Sequence, residues 1–319
     1  MAKKLTPLSE WAAQRGMTYH QAWKLAKAGQ IRTETAGRFL LVVEEEAEAS
    51  PKPKGAYTFF THAGGAGKTS LTRDLGYEMA SRGYRVLLVD ADPQANLTAW
   101  LGMNDVDPEE DTLLRFYFRE KLPEPRQVLE GLDLVPSHVN LAEAEVKLGS
   151  QSHLTLALRG ALEEWLERYD LIFLDSLPSL GPLAISAALA GQGLLVPVEL
   201  SRKSIQALEI VLRVAASYAR TLSLMRLWSG GSFIRAIFPN QAEGTVRDRE
   251  IMDYLREEVA SIVPVAEPLT RRPAVYREAQ ASHTPVQLVG DEEVRRQLRL
   301  LGDFFVEEVL QGVKEEVGA

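Results

Sequence analysis

The 319-residue sequence predicts an α/β fold: a mostly parallel, doubly wound sheet preceded by a small basic domain. Three observations predict it. A glycine-rich turn, Ala63-Gly64-Gly65-Ala66-Gly67-Lys68-Thr69-Ser70, lies between an apolar run at 57–61 and a helix-forming run at 71–82. Further uninterrupted apolar runs follow, separated by helical stretches, and two of them end in an aspartate. The first 43 residues differ from the rest in charge and pattern.

That head carries Lys3, Lys4, Arg15, Lys24, Lys27, Arg32 and Arg38 against Glu10 and Glu34, whereas the whole chain has a formal charge of −8. Thr6 and Pro7 read as a helix cap and a proline-first turn. The helix they open carries Leu8, Trp11 and Ala12 on one face and stops near Gly16. Thr18 and Gln21 have the spacing of a capping box for a second helix, which Gly29 closes. Residues 31–35 and 39–43, joined by a tight turn at 36–38, read as a hairpin. Residues 44–55 are charged, hold two prolines and have no side chain larger than alanine among their apolar members, so they read as an extended linker. The sequence thus divides into 1–43, a linker at 44–55, and 56–319.

In the large domain, the runs at 84–90, 171–175, 193–198, 233–238 and 262–265 read as strands. Continuous apolar strands between helices imply a parallel sheet covered on both faces. Ligands of such sheets sit beyond the strand C-termini, where Asp90, Asp175 and the glycine turn all fall. No apolar run reaches the ~18 residues of a membrane span. The N-terminus lacks the apolar core of a signal peptide, and the absence of cysteine excludes disulfides and thiolate metal sites. The expected setting is the cytoplasm.

A strand, a glycine turn, Lys68-Thr69 and a helix are the layout of a phosphate cradle. Glycines let backbone N–H groups approach phosphate oxygens, and the helix N-terminus adds partial positive charge. Lys68 would reach the β- and γ-phosphates, and the Thr69 hydroxyl would sit on Mg²⁺. The usual G-x-x-x-x-G-K-[ST] pattern requires a glycine where this chain has His62, so the loop is the deviant form of the P-loop.

The head's helix, turn, helix and hairpin resemble the winged helix-turn-helix domains of the excisionase and MerR type. In that reading the second helix enters the DNA major groove. Tyr19, His20, Gln21 and Lys24 face bases or backbone, and Lys27, Arg32 and Arg38 hold phosphates. A protein-docking module with a solvated basic face is the other reading.

The large domain resembles the ParA/Soj partition ATPases. The resemblance rests on the deviant loop, on Asp90-Ala91-Asp92-Pro93-Gln94-Ala95-Asn96, and on Leu141-Ala142-Glu143-Ala144-Glu145 after Leu134-Val135-Pro136-Ser137. It rests also on the strand ending Asp175-Ser176-Leu177-Pro178-Ser179 and on segments 267–279 and 284–286. It implies that Gly64, Gly65, Ala66, Gly67, Lys68, Thr69 and Ser70 hold the triphosphate of ATP, with Thr69 binding Mg²⁺ directly and Asp175 through a water. Asp90 supports the loop and metal shell, Asp92 orients the attacking water, and Lys68 and Asp92 are the catalytic pair. Pro239 and Asn240 meet the adenine. ATP is favoured over GTP by the same resemblance.

The family's loop opens with a lysine that crosses to the partner subunit's γ-phosphate, and this chain has Ala63 there. Slow hydrolysis, substitution by another cation (Arg202, Lys203 or Arg247) and a non-hydrolysing protein are the three outcomes. The resemblance implies a homodimer, a ParB-like partner and nonspecific DNA binding on the nucleoid. Arg271, Arg272 and Arg277 would contact that DNA, or else pair with Glu267 and Glu278 as ordinary surface arginines. An ATP-sensing transcriptional regulator, repressing a partition operon, is the alternative function. A MinD-like membrane cycle is disfavoured, because the amphipathic C-terminal stretch 303–317 is acidic and anionic lipids would repel it.

Overall fold

The structure, a computed structural model, describes residues 3–36, 39–45 and 52–311. It separates into two compact units, residues 1–52 and 53–319.

In the first unit, strand β1 (Lys3–Pro7) leads into helices Leu8–Gln14 and Tyr19–Lys27, followed by β2 (Thr33–Ala36) and β3 (Phe39–Glu45). The strands form an antiparallel sheet in the order β1-β3-β2. Leu8, Trp11, Ala12, Ala22 and Val42 form its core. The capping box is present: Thr18 Oγ1 accepts from the Gln21 N–H, and Gln21 Oε1 accepts from the Thr18 N–H at 2.8 Å. Gly16 and Gly29 take φ of 65° and 69°, as chain reversal after each helix requires.

Two expectations are corrected here. Thr6 and Pro7 do not cap a helix by side chain; they end β1, because the backbone of Lys3–Pro7 finds its partners along β3, with Leu5 opposite Val43. For the same reason Glu44 and Glu45 belong to β3, opposite Lys4 and Lys3, and not to a linker. The turn residues 37–38, including Arg38, and the linker residues 46–51 lie outside the described residues.

The second unit is built on a seven-stranded sheet. Its strands are β4 (Gly55–Phe59), β5 (Val86–Ala91), β6 (Arg126–Leu129), β7 (Leu132–Val135), β8 (Leu171–Ser176), β9 (Leu194–Glu199) and β10 (Ile234–Asn240). Their order is β10-β9-β4-β8-β5-β7-β6, parallel except for the edge strand β6. Both faces are buried. Tyr57, Phe59, Phe173 and Phe238 point to one core, while Leu87, Val89, Ile172 and Leu174 point to the other. This alternation is the two-residue period of a strand covered on both sides.

The expected strand at 262–265 does not form. Pro264 has no N–H to give, so the segment makes a single bridge, Val265 with Ile237, and runs past the edge of β10. The segment around Leu134 is instead a full strand, β7, paired along β5. The C-terminal stretch is helical from Glu292 to Phe304 and continues as a π-helical turn, Phe305–Gln311. Phe305 is fully buried, edge-on to Tyr57 and Phe173 at 5.5 and 5.4 Å, while Glu307 and Glu308 face solvent. No helix among the described residues is long and apolar enough to cross a membrane.

Candidate nucleotide site

The glycine turn joins β4 to the helix Lys68–Ser81, and its shape depends on two glycines. Gly65 and Gly67 have φ of 85° and 92°, a region side chains rarely enter. A Cβ on Gly67 would stand 2.2 Å from Asn240 Nδ2, so the position is closed sterically as well. Gly67 is the N-cap of a helix that starts at Lys68, with no side-chain cap on its N-terminal N–H groups. Those donors face the turn, as an anion-binding helix N-terminus requires.

Three carboxylates converge on the turn from neighbouring strand ends. Asp90 and Asp175 sit directly opposite each other in the register of β5 and β8. Asp90 is fully buried and ties down the loop that follows. Its Oδ2 accepts from the Thr98 N–H and Oγ1–H at 2.9 and 2.7 Å, and its Oδ1 accepts from the Asp92 N–H at 3.2 Å. Burial pushes its carboxyl up to about 7, against the Thr98 hydrogen bonds. Asp92 accepts from the Gln94 N–H at 2.9 Å, and its backbone carbonyl accepts from Ser137 Oγ–H at 2.8 Å.

Asp175 is different. Both its carboxylate oxygens are buried, and neither meets a hydrogen-bond donor in good geometry among the described residues. Burial raises its pKa well above the usual carboxylate range, Asp90 adds to the rise, and the neighbouring Thr69 hydroxyl and Lys68 ammonium oppose it. Burial lowers the Lys68 pKa in turn, with Asp175 and Asp92 restoring part of the loss. A buried carboxylate with idle oxygens beside a hydroxyl is a donor set suited to a hard cation or its water. No cluster of three His, Cys, Asp or Glu side chains that could hold a metal occurs among the described residues.

A cavity of about 310 Å³ opens over the turn, lined by Gly64 through Ser70 in part, by Asp92, and by Asn96, Trp100, Pro178 and Gln241. A second, of about 210 Å³, also borders Gly67, between Asn240, Gln241, Tyr276 and the segment Thr270 to Pro273. The structure therefore brings together Gly64, Gly65, Gly67, Lys68, Thr69, Ser70, Asp92 and, behind them, Asp90 and Asp175. Ala66 is buried in the turn. Asn240 is at the second cavity, whereas Pro239 lies buried within β10, where its carbonyl accepts from the Leu269 N–H at 3.0 Å. Trp100, Gln241 and Tyr276 were not expected at the site, and no phosphate-binding motif marks them, whereas Pro178 belongs to the segment that ends the Asp175 strand.

The cations expected elsewhere are scattered. Arg202, Lys203 and Arg247 are exposed, and none lines the cavity over the turn within one chain. Arg271 pairs with Glu243 and Arg272 approaches Asp291 at 3.9 Å, and both line the second cavity. Glu267, expected to neutralise one of these arginines, pairs with Arg256. Arg277 is exposed. In the first unit, Tyr19, His20, Gln21, Lys24, Lys27 and Arg32 are all exposed. Lys27 stands over the Trp23 ring at 5.0 Å, His20 stacks on the same ring at 6.1 Å, and the Gln21 carboxamide is engaged in the capping box.

A family model described as an AAA domain matches residues 57–223. Over 98% of both chains, the sequence is 44% identical to the probable plasmid-partitioning protein ParA of Thermus thermophilus. The chain belongs to the ParA/Soj family of partition ATPases. It is 32% identical to the sporulation initiation inhibitor protein Soj of Bacillus subtilis, over 63% of this chain and 79% of that one. Among solved structures, the ATP complex of a Cyanothece McdA variant superposes with a TM-score of 0.66, covering 84% of this chain and 97% of that one at 22% identity. That likeness concerns the fold, and the ParA-type sheet and P-loop of this chain agree with it.

Proposed function

We propose that this ParA-like ATPase binds ATP with Mg²⁺ at the glycine turn, dimerises on the nucleotide, binds DNA in that state and hydrolyses ATP slowly. The observation that carries the reading is Asp175: two buried carboxylate oxygens with no well-formed hydrogen bond among the described residues, at the end of β8, beside Thr69 and Lys68. The turn's N–H groups and Lys68 would hold the β- and γ-phosphates, and the Thr69 hydroxyl and Asp175, through a water, would hold the Mg²⁺. Mg²⁺, when bound, would supply positive charge to offset the negative charge of the phosphates. Asp92 borders the cavity and orients the attacking water, while Asp90 holds the loop that carries Asp92. Pro178, from the loop after Asp175, walls the cavity.

Slow turnover follows from Ala63. A cation aimed at the transferring phosphate from a partner can be worth ~10³–10⁵ in rate in related NTPases. This chain offers a methyl group there, and none of its described arginines lines the cavity over the turn. ATP then acts mainly as a clamp for the dimer, and a ParB-like partner would release it. Gel filtration and DNA binding with ADP, ATP and a non-hydrolysable ATP analogue, side by side, test the reading. ATP and the analogue are expected to give a DNA-bound dimer and ADP a monomer. The same elution and the same DNA binding with all three would refute it.

A further inference from the structure

At the end of β10 the backbone enters the left-handed region at a residue that carries a long side chain: Gln241 has φ of 59°. Such a conformation is uncommon outside glycine and asparagine, and the surrounding structure must hold it in place. The Gln241 N–H donates to Asn240 Oδ1 at 2.8 Å. The next residue is zipped to the segment beyond: Ala242 N–H donates to Leu269 O, and Arg271 N–H donates to Ala242 O, both at 2.9 Å.

The consequence is where the two side-chain amides go. Asn240 Nδ2 donates to the Ala66 carbonyl at 3.1 Å, and Gln241 Nε2 donates to the Gly65 carbonyl. Consecutive donors take consecutive carbonyls of the glycine turn. In a trans peptide the C=O and the following N–H point to opposite sides of the chain. Holding the Gly65 and Ala66 carbonyls outward therefore turns the Ala66 and Gly67 N–H groups the other way, as a backbone nest for an anion requires. Gly67 completes the fit, because Asn240 Nδ2 occupies the space a Cβ there would need.

We infer that Asn240 and Gln241 are positioning residues of the phosphate cradle, a pair of amides that set its peptide planes, and that they do not read the nucleobase. The inference rests on the reading of ATP–Mg²⁺ binding at this turn. It changes the role expected of Asn240, whose Oδ1 and Nδ2 are both engaged within the protein. It also gives Gln241, which no motif marks, a reason for its backbone conformation.

The test is calorimetric titration of the full chain with Mg²⁺ and each of ATP, GTP and inorganic tripolyphosphate. Wild type is compared with Gln241→Gly, which keeps the backbone conformation and removes the amide, and with Gln241→Glu, which keeps the length and puts an acceptor against a carbonyl. For both variants, ATP and tripolyphosphate affinity should fall together, by about five- to tenfold for one lost hydrogen bond. The ATP-to-GTP ratio should stay at the wild-type value, and melting without nucleotide should not fall for Gln241→Gly. A loss confined to ATP, with tripolyphosphate untouched and the ATP-to-GTP ratio collapsed, would make Gln241 a base reader and overturn the inference. Unchanged affinities in both variants would overturn it as well. Wild type that binds neither ATP nor tripolyphosphate would instead remove the ATP reading beneath it.

Discussion

Asp175 is a residue whose burial makes sense only with a ligand. Without one, a buried acid has only the Thr69 hydroxyl and the Lys68 ammonium to offset its lost hydration, a state that costs stability. Asp175→Asn should abolish the Mg²⁺-dependent part of the ATP-induced rise in melting temperature. Thermal melts with ATP, in the presence and absence of Mg²⁺, check it. Asp90 adds a pH dependence. Its folded-state pKa, about 7, lies above the ordinary aspartate value of 3.8, so it takes up a proton on folding. Its contribution is fully present below about pH 4 and is lost as pH rises through about 7. Asp175, raised in the same direction, adds to the trend. The nucleotide-free protein should melt at falling temperature between about pH 5 and pH 8, and a flat or rising profile would contradict the raised carboxyl groups of Asp90 and Asp175. At Ala63 the expectation concerns rate. Ala63→Lys should raise steady-state ATP turnover by more than about tenfold, toward the ~10³–10⁵ that a trans cation can supply. A phosphate-release assay that shows no gain would mean that another cation already fills the role. The motif residues were legible in the sequence because phosphate binding is a local problem: a glycine turn and a helix start lie within eight residues. Gln241 was not legible, because its task is set by a carbonyl 176 residues away.

Among the elements, the C-terminal helix shows how an acidic segment can still be structural. Its π-helical extension places Phe305 between Tyr57 and Phe173, beneath the strand that feeds the glycine turn. Phe305→Ala should destabilise the second unit by about 3–5 kcal/mol, measured by denaturant unfolding of the full chain. A loss below about 1 kcal/mol would mean that this turn is not part of the core. The central strands were readable because each is an uninterrupted apolar run, buried on both faces. The failures have physical causes. At 262–265 the apolar run contains Pro264, which cannot extend a ladder beyond one bridge. Around Leu134 the strand is only four residues long, and its pairing with β5 is decided by tertiary contact. Thr6 and Pro7 have the local chemistry of a helix start, yet the pairing of β1 with β3 places them at a strand end, a long-range effect that local propensity does not register.

At the scale of the whole molecule, two units with separate cores carry two different kinds of surface. The first presents Lys24, Lys27 and Arg32 with the Trp23 ring, and the second presents the cradle. If both contact DNA, the two modes should respond differently to salt. Nonspecific binding by an ATP dimer is governed by phosphate charge and weakens steeply as salt rises. Deleting residues 1–52 should leave that ATP-dependent, salt-sensitive binding in place and remove any ATP-independent, sequence-selective binding, as gel shifts on random and operon-derived duplexes would show. Loss of all DNA binding on deletion would favour the ATP-sensing regulator over the partition ATPase acting through its dimer. Beneath these expectations lies the claim that the glycine turn, Lys68, Thr69 and Asp175 form one Mg²⁺–nucleotide site. Calorimetric titration of the purified full chain with ATP, in the presence and absence of Mg²⁺, tests it most directly. The account predicts saturable uptake of one ATP per chain that strengthens with Mg²⁺ in wild type and loses that Mg²⁺ dependence in Asp175→Asn. Well-folded wild-type protein that takes up no ATP under either condition would contradict it.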